Sequence, residues 1–177
     1  HMSPRRIIIT GGPCTGKSTL IELLAGRGFP VKREVARAEI KRQLAVGSNL
    51  LPWQDVQGFS RVVMDKQLVQ YRQVPTSGKV IFYDRGVPDL LAYLRKAKIH
   101  DALIEEQARH LSYAQPVFAA PPWPEIYNVD NERRESFADM QIIHGHLLAV
   151  YRELGYRVVE LPFASPAERL QRIEAEL

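Results

Sequence analysis

Residues 7–20 read IIITGGPCTGKSTL: a β-branched apolar run breaks into a glycine-rich turn and resumes as a segment containing leucine. Branching at Cβ restricts χ1 and favours a pleated strand. The continuation KSTLIELLAGRGFP brings Leu20, Leu23 and Leu24 to the inner side of a helix, with Gly28 and Pro30 as stop signals. A strand feeding a helix through so short a turn predicts layered α/β architecture. With 177 residues and 45% hydrophobic content, the chain suffices for one domain core. Residues 3–177 are read as that single domain. His1 and Met2 are read as an expression-tag remnant or start.

The alternation continues to the C-terminus. PVKR is a weak second strand, followed by a helix over about 34–45, the loop GSNLLP and a helix over about 53–73. VIFYD is apolar until its last residue, as expected of a central parallel strand covered on both faces. Residues 87–111 form one or two helices broken near KAKIH, and QPVFAAPPWPE is a fourth strand running into a proline-rich loop. A helix over about 132–154 carries Ala138, Ile142, Leu147, Tyr151 and Leu154 at near-helical spacing. RVVEL is the fifth strand and SPAERLQRIEAEL the last helix, with Ser165 as N-cap and Pro166 in its first position. Five strands with crossover helices imply a three-layer α/β fold with a mainly parallel sheet.

Several classes are excluded or made improbable by composition. No apolar run reaches the roughly 18 to 20 residues that cross a bilayer, and no secretory leader is evident, so a soluble cytoplasmic protein is expected. The single cysteine, Cys14, excludes an internal disulfide framework and a cysteine-based zinc cage. His144 and His146 diverge on a helix, and no zinc site is expected. The net charge of +4 gives a modest affinity for anions, and nucleic acid is not the expected partner. The basic cluster from Arg27 to Arg42 reads as a solvated helix face on its own.

In GGPCTGKS, the spacing Gly11, four residues, Gly16, Lys17, Ser18 satisfies the phosphate-binding P-loop pattern. Glycines permit positive φ and close approach, so that successive amides from Gly11 through Gly12, Pro13, Cys14, Thr15 and Gly16 can form an anion nest. Proline contributes no N–H and Cys14 is a spacer. The helix N-terminus adds partial positive charge. Lys17 is expected at the β- and γ-phosphates, Ser18 on Mg²⁺ and Thr19 on the α-phosphate.

Asp84 closes VIFYD and therefore belongs at the carboxyl edge of the sheet, where it would hold magnesium or accept a proton from an attacking hydroxyl. The blander reading is a polar residue ending a strand. Arg85 would keep Asp84 ionised or contact substrate phosphate. Glu34 and Arg37 in REVARAEIKR share a face if helical; they would clamp an acceptor or form a surface ion pair. PPWPEIYNVDNERRESF delivers Arg133 and Arg134 to the start of a helix, where positive charge does not favour the helix itself, so they are expected to close on phosphate. Trp123 and Tyr127 stack on a base or lie in the core, with the core preferred.

The ordered set ITGGPCTGKSTL, REVAR, YDRGVPDLLAYL, PPWPEIY and NERRESF resembles the small P-loop AAA-type domains related to the kinase domain of the nicotinamide-riboside kinase and regulator protein. That resemblance implies a nucleoside-kinase-like P-loop fold with strand order 2-3-1-4-5. It also implies nucleotide at Gly11 to Thr19, an acceptor site near Glu34, Arg37 and Asp84, and a lid carrying Arg133 and Arg134.

The leading expectation is Mg²⁺-dependent transfer of the γ-phosphoryl of ATP to a small nucleoside-like or metabolite hydroxyl. GTP stays open as the donor, although no Asn-Lys-x-Asp guanine-reading motif is present. A nucleotide-dependent switch on a protein or lipid is the alternative, and a nucleic-acid end kinase a third.

Overall fold

In the computed structural model, which describes residues 4–74, 80–126 and 136–177, the central strand is buried on both sides. β1 (Arg5–Thr10) sends Ile8 into one hydrophobic cluster and Ile7 and Ile9 into another. β3 (Val80–Asp84) divides in the same way, with Ile81 and Tyr83 on one side and Phe82 on the other. Successive side chains of a strand alternate between faces, so two buried faces require an unbroken apolar run. Helices α1 (Lys17–Gly26) and α7 (Pro166–Glu174) cover one face through Leu20, Leu24, Leu170 and Ile173. The opposite face is covered by α2 (Val35–Ala45), α3 (Val56–Arg72), α4 (Val87–Lys96), α5 (Ala102–His110) and α6 (Phe137–Glu153).

The sheet is parallel in the order β2-β3-β1-β4-β5, with β2 (Val31–Lys32), β4 (Val117–Ala119) and β5 (Val158–Glu160) completing it. This is the expected three-layer P-loop architecture. Register sets the site: Ile9 pairs with Asp84, so the carboxylate that ends β3 lies beside the turn that leaves β1. Helices on opposite faces draw the loops after these strands apart and open a crevice at the carboxyl edge.

Local chemistry moves several element boundaries. α2 begins one residue later than the sequence pattern suggests, leaving Glu34 as an extended N-cap residue. α3 begins at Val56 because the Asp55 carboxylate accepts the Gly58 amide at 2.9 Å, so Trp53 precedes the helix. Residues 87–111 form two helices; Lys98 turns left-handed between them, and Asp101 caps α5 by accepting the Ile104 amide. α6 starts at Phe137 behind its cap Ser136, and its inner stripe is Met140, Ile143, Leu147, Val150 and Tyr151. Ile142, expected on that stripe, is instead 52% exposed, because one residue's step turns a helix by about 100°. No helix among the described residues is long and apolar enough to cross a membrane.

Two buried carboxylates tie the helices together and set the acid limit of the fold. Burial pushes Asp101 up, but Arg61, Gln57 and the Ile104 amide outweigh it and hold the carboxyl at about 2. Hydrogen bonding from Arg42, against the opposing effect of burial and aided by Lys66 and Gln43, holds Glu39 at about 2. Unfolded values lie at about 4, so the unfolded chain binds these protons first. Stability that is complete above about pH 4 is therefore lost as pH falls toward about 2. The basic partners are half-exposed, which discounts the effect to about 1–2 kcal/mol per carboxylate. Denaturant titrations at about pH 5 and pH 2.5 measure the loss, and Asp101→Asn should flatten the Asp101 share of that acid limb.

Candidate functional site

The glycine-rich turn adopts the backbone that its sequence requires. Gly11 has φ 145, Cys14 φ 59 and Gly16 φ 78. A Cβ on Gly11 would lie 2.6 Å from the Ala120 carbonyl oxygen, and one on Gly16 would lie 3.0 Å from Arg169 Nη1. The loop is thus pressed against β4, where space requires glycine at Gly11, while at Gly16 the left-handed backbone is what favours glycine. Thr15 is buried and donates to the Gly12 carbonyl at 2.9 Å, bracing the turn from within. Gly16 is the N-cap of α1 and provides no side-chain cap, so the first amides of the helix have no side-chain acceptor at that cap.

Lys17 extends from the first turn of α1 to the crevice and is only 4% exposed. Its ammonium donates to Asp84 and lies 3.5 Å from Glu34. Glu34 also meets Arg85 at 3.4 Å. Two carboxylates and two cations thus share one buried cluster. Burial pushes Glu34 up, but Arg85, Lys17 and Arg37 together outweigh it and hold the carboxyl at about 2. Burial also pushes Asp84 up; Lys17 opposes this, whereas the charge on Glu34 reinforces it, and the carboxyl stays above its ordinary value. The closer partner of Lys17 is therefore the more basic carboxylate, because Glu34 faces three cations. Arg85 pairs with Glu34 rather than serving chiefly to hold Asp84 ionised, and its φ of 70 is left-handed, a conformation that costs a non-glycine residue backbone strain.

Two supports of this cluster escape the sequence reading. Asp89 in α4 accepts from Thr10 at 2.5 Å, from Tyr151 and from the Gly86 amide at 3.2 Å, tying β1, α4 and α6 together behind the loop. Arg169 in α7 is buried, donates to the Thr15 carbonyl at 2.5 Å and to the Pro162 carbonyl at 2.8 Å, and lies 5.0 Å from the Trp123 ring. Its signal was present in the sequence, since Arg169 is four residues from buried Ile173 and lies on the apolar side of α7. Trp123 belongs to neither hydrophobic cluster: it packs against Phe163 at 5.7 Å and donates its amide to Cys14 at 3.4 Å. The expected core placement is corrected because the ring lies where the proline-rich segment crosses the loop.

The predicted loop residues 11–19 together with Glu34, Arg37, Asp84 and Arg85 come together at one edge of the sheet. A cleft of about 310 Å³ opens over residues 12–19, bounded by Glu34, Arg37, Arg85 and Ile126. Beside it lies a narrow, mainly apolar slot of about 80 Å³ between α3 and α4, and Pro13, Glu34, Arg37 and Arg85 line both. Arg133 and Arg134 lie outside the described residues, as does Tyr127. The basic segment after β2 is a paired surface: Arg33 pairs with Glu22 at 2.7 Å and Arg42 with Glu39 at 2.6 Å.

The loop fits a polyphosphate on its own geometry, with Gly11 where a Cβ would collide, Gly16 in the left-handed region and a helix N-terminus without a side-chain cap. For magnesium, Ser18 and Asp84 supply hard oxygen donors, the class that this ion takes when phosphates complete its shell. Among the described residues, no group of three or more His, Cys, Asp or Glu is placed to hold a metal.

No curated protein matches the chain. Among solved structures, a NadR protein in complex with NR superposes with a TM-score of 0.73 at 18% identity, covering 98% of this chain. The chain spans about half, 51%, of the length of that structure. Thymidylate kinase from Ehrlichia chaffeensis gives a TM-score of 0.68 at 16% identity, with 99% of this chain and 100% of that one covered. Deoxyadenosine kinase from M. mycoides gives 0.65 at 12% identity, with 97% of each chain covered. At these identities the likeness is one of fold. A family model described as AAA domain (AAA_28) matches residues 6–169, a span that includes the loop, Glu34, Arg37, Asp84, Arg85 and Arg169. The chain therefore belongs to this AAA domain family, as a P-loop nucleotide-binding domain.

Proposed function

We propose that the protein transfers the γ-phosphoryl group of ATP to a hydroxyl of a small, nucleoside-like acceptor. The observation that carries this reading is the shared wall. The cleft over the glycine loop and the apolar slot have Pro13, Glu34, Arg37 and Arg85 in common, beside the Lys17–Asp84 contact. A hydrolase or switch needs the first cavity and has no use for the second. The resemblance in fold to the NadR protein in complex with NR and to thymidylate and deoxyadenosine kinases supports the same reading.

The loop amides and Lys17 would bind the triphosphate, and Ser18 with Asp84 would hold its magnesium. The ion supplies charge neutralisation on the phosphates. A bound triphosphate would draw the Lys17 ammonium, here in contact with Asp84, toward its phosphates. Asp84, pushed up by burial and by Glu34, is then suited to take the proton of an attacking hydroxyl. Glu34 and Arg37, which line both the slot and the cleft, would orient that hydroxyl. Arg133 and Arg134 are assigned to the phosphates on sequence grounds alone. ATP is preferred to GTP because the chain lacks a guanine-reading motif.

ADP release measured with ATP and Mg²⁺ across a panel of nucleosides and vitamin precursors tests the proposal. A kinase releases ADP much faster with its acceptor and yields a phosphorylated product. A slow rate indifferent to every small molecule would point to the switch.

A further inference from the structure

We propose that Gln67 determines acceptor specificity: its amide reads a flat heterocycle that presents an N–H donor beside an acceptor on one edge, as an amino-substituted nucleobase or a ring carboxamide does. The inference rests on the acceptor reading of the slot given above and names the substrate class it takes.

Val56, Phe59, Val63 and Gln67 recur every three or four residues along α3, so they form one stripe, and all four line the slot. Three are apolar and the fourth is an amide. Gln67 is 6% exposed, and its Oε1 is buried without a hydrogen-bond partner. A buried acceptor left unpaired carries its full desolvation penalty, and native proteins rarely keep one without a reason. The walls around it include Trp53, Phe59 and Tyr93, whose flat faces suit a ring. Glu34, Arg37 and Arg85 line the same slot and join it to the phosphate cleft.

A ring held in the slot against Gln67 would adjoin the phosphate cleft through these shared residues, so that its polar substituent can face Lys17 and Asp84, where phosphoryl transfer is proposed. The glutamine amide offers an acceptor and a donor side by side, so it complements a donor–acceptor edge whichever way the amide is turned. A lone carbonyl or hydroxyl satisfies half of it.

Calorimetry with matched ribosides tests this: adenosine against purine riboside, cytidine against pyrimidin-2-one riboside, and nicotinamide riboside against its 3-acetylpyridine analogue. The second of each pair keeps ring and sugar but lacks the N–H donor. For the ring that the slot accepts, losing the donor should weaken binding by about tenfold to a hundredfold. Gln67→Leu should erase that difference, bringing both members to the weaker affinity. It should also raise the melting temperature of the ligand-free protein by about 2 to 4 °C, because the unpaired acceptor is gone. If the leucine variant does not fold, Gln67→Met carries the same comparison. Equal affinity within every pair for the wild type, a preference that survives in the variant, or no binding of any riboside at millimolar concentration each overturns the proposal. Phosphorylated product is read separately: donor discrimination without product would sink the transfer reading and leave this one standing.

Discussion

Replacing Lys17 with Ala should lower turnover by about a thousandfold or more, because transfer of this kind is mostly positioning and charge neutralisation at the phosphates. The structure adds a second expected effect. The Lys17 ammonium lies between Asp84 and Glu34, both largely buried, and its removal leaves two carboxylates facing each other with Arg85 and Arg37 as the remaining nearby cations. Breaking a buried pair from one side costs about 3–5 kcal/mol, less whatever protonation relieves. The sign follows from Asp84. Its carboxyl is already raised in the folded state and would rise further, so the variant binds a proton on folding and becomes less stable as pH increases through that value. Single-turnover kinetics and melting curves between about pH 5 and pH 8 separate the two effects. Turnover within tenfold of wild type would remove Lys17 from the phosphoryl path.

Asp84→Asn should reduce the rate of transfer by about a hundredfold to ten-thousandfold, while metal-free nucleotide binds the glycine loop at least as tightly as in the wild type, since the carboxylate that competes for the Lys17 ammonium is gone. Asparagine keeps the shape and an oxygen but cannot accept a proton at neutral pH and is a poorer ligand for a hard cation. A magnesium titration divides these roles. Full recovery of rate at high magnesium would assign Asp84 to the metal alone, whereas a rate that stays low at saturating metal assigns it the proton. The variant should fold, because Glu34 lies 3.5 Å from Lys17 and keeps a counter-charge at the ammonium.

The two variants probe parts of the site that differ in how far the sequence reveals them. Gly11 to Thr19 are contiguous, and their backbone is prescribed locally by glycine and a helix start, so motif and geometry coincide. Asp84 could be placed because a buried strand that ends in a carboxylate marks its own edge, and the register Ile9 to Asp84 puts that edge beside the loop. The sequence pattern puts Glu34 and Arg37 on one helical face, yet Glu34 is an N-cap and pairs with Lys17 and Arg85, which its sequence neighbours do not disclose. The stripe on α3 follows from periodicity, but the unpaired acceptor on Gln67 is visible only once α4 and the loop after β3 enclose it.

Sequence alone determined the layered fold class and the phosphate loop, since both depend on periodicity and on backbone freedom over a few adjacent residues. Tertiary structure decided which carboxylate holds Lys17, that Arg169 braces the loop across 154 positions of chain, and that an apolar slot adjoins the phosphate cleft. The reason is physical: electrostatic pairing and cavity shape depend on distances between elements remote in the chain, and those distances exist only after the sheet has brought the elements together.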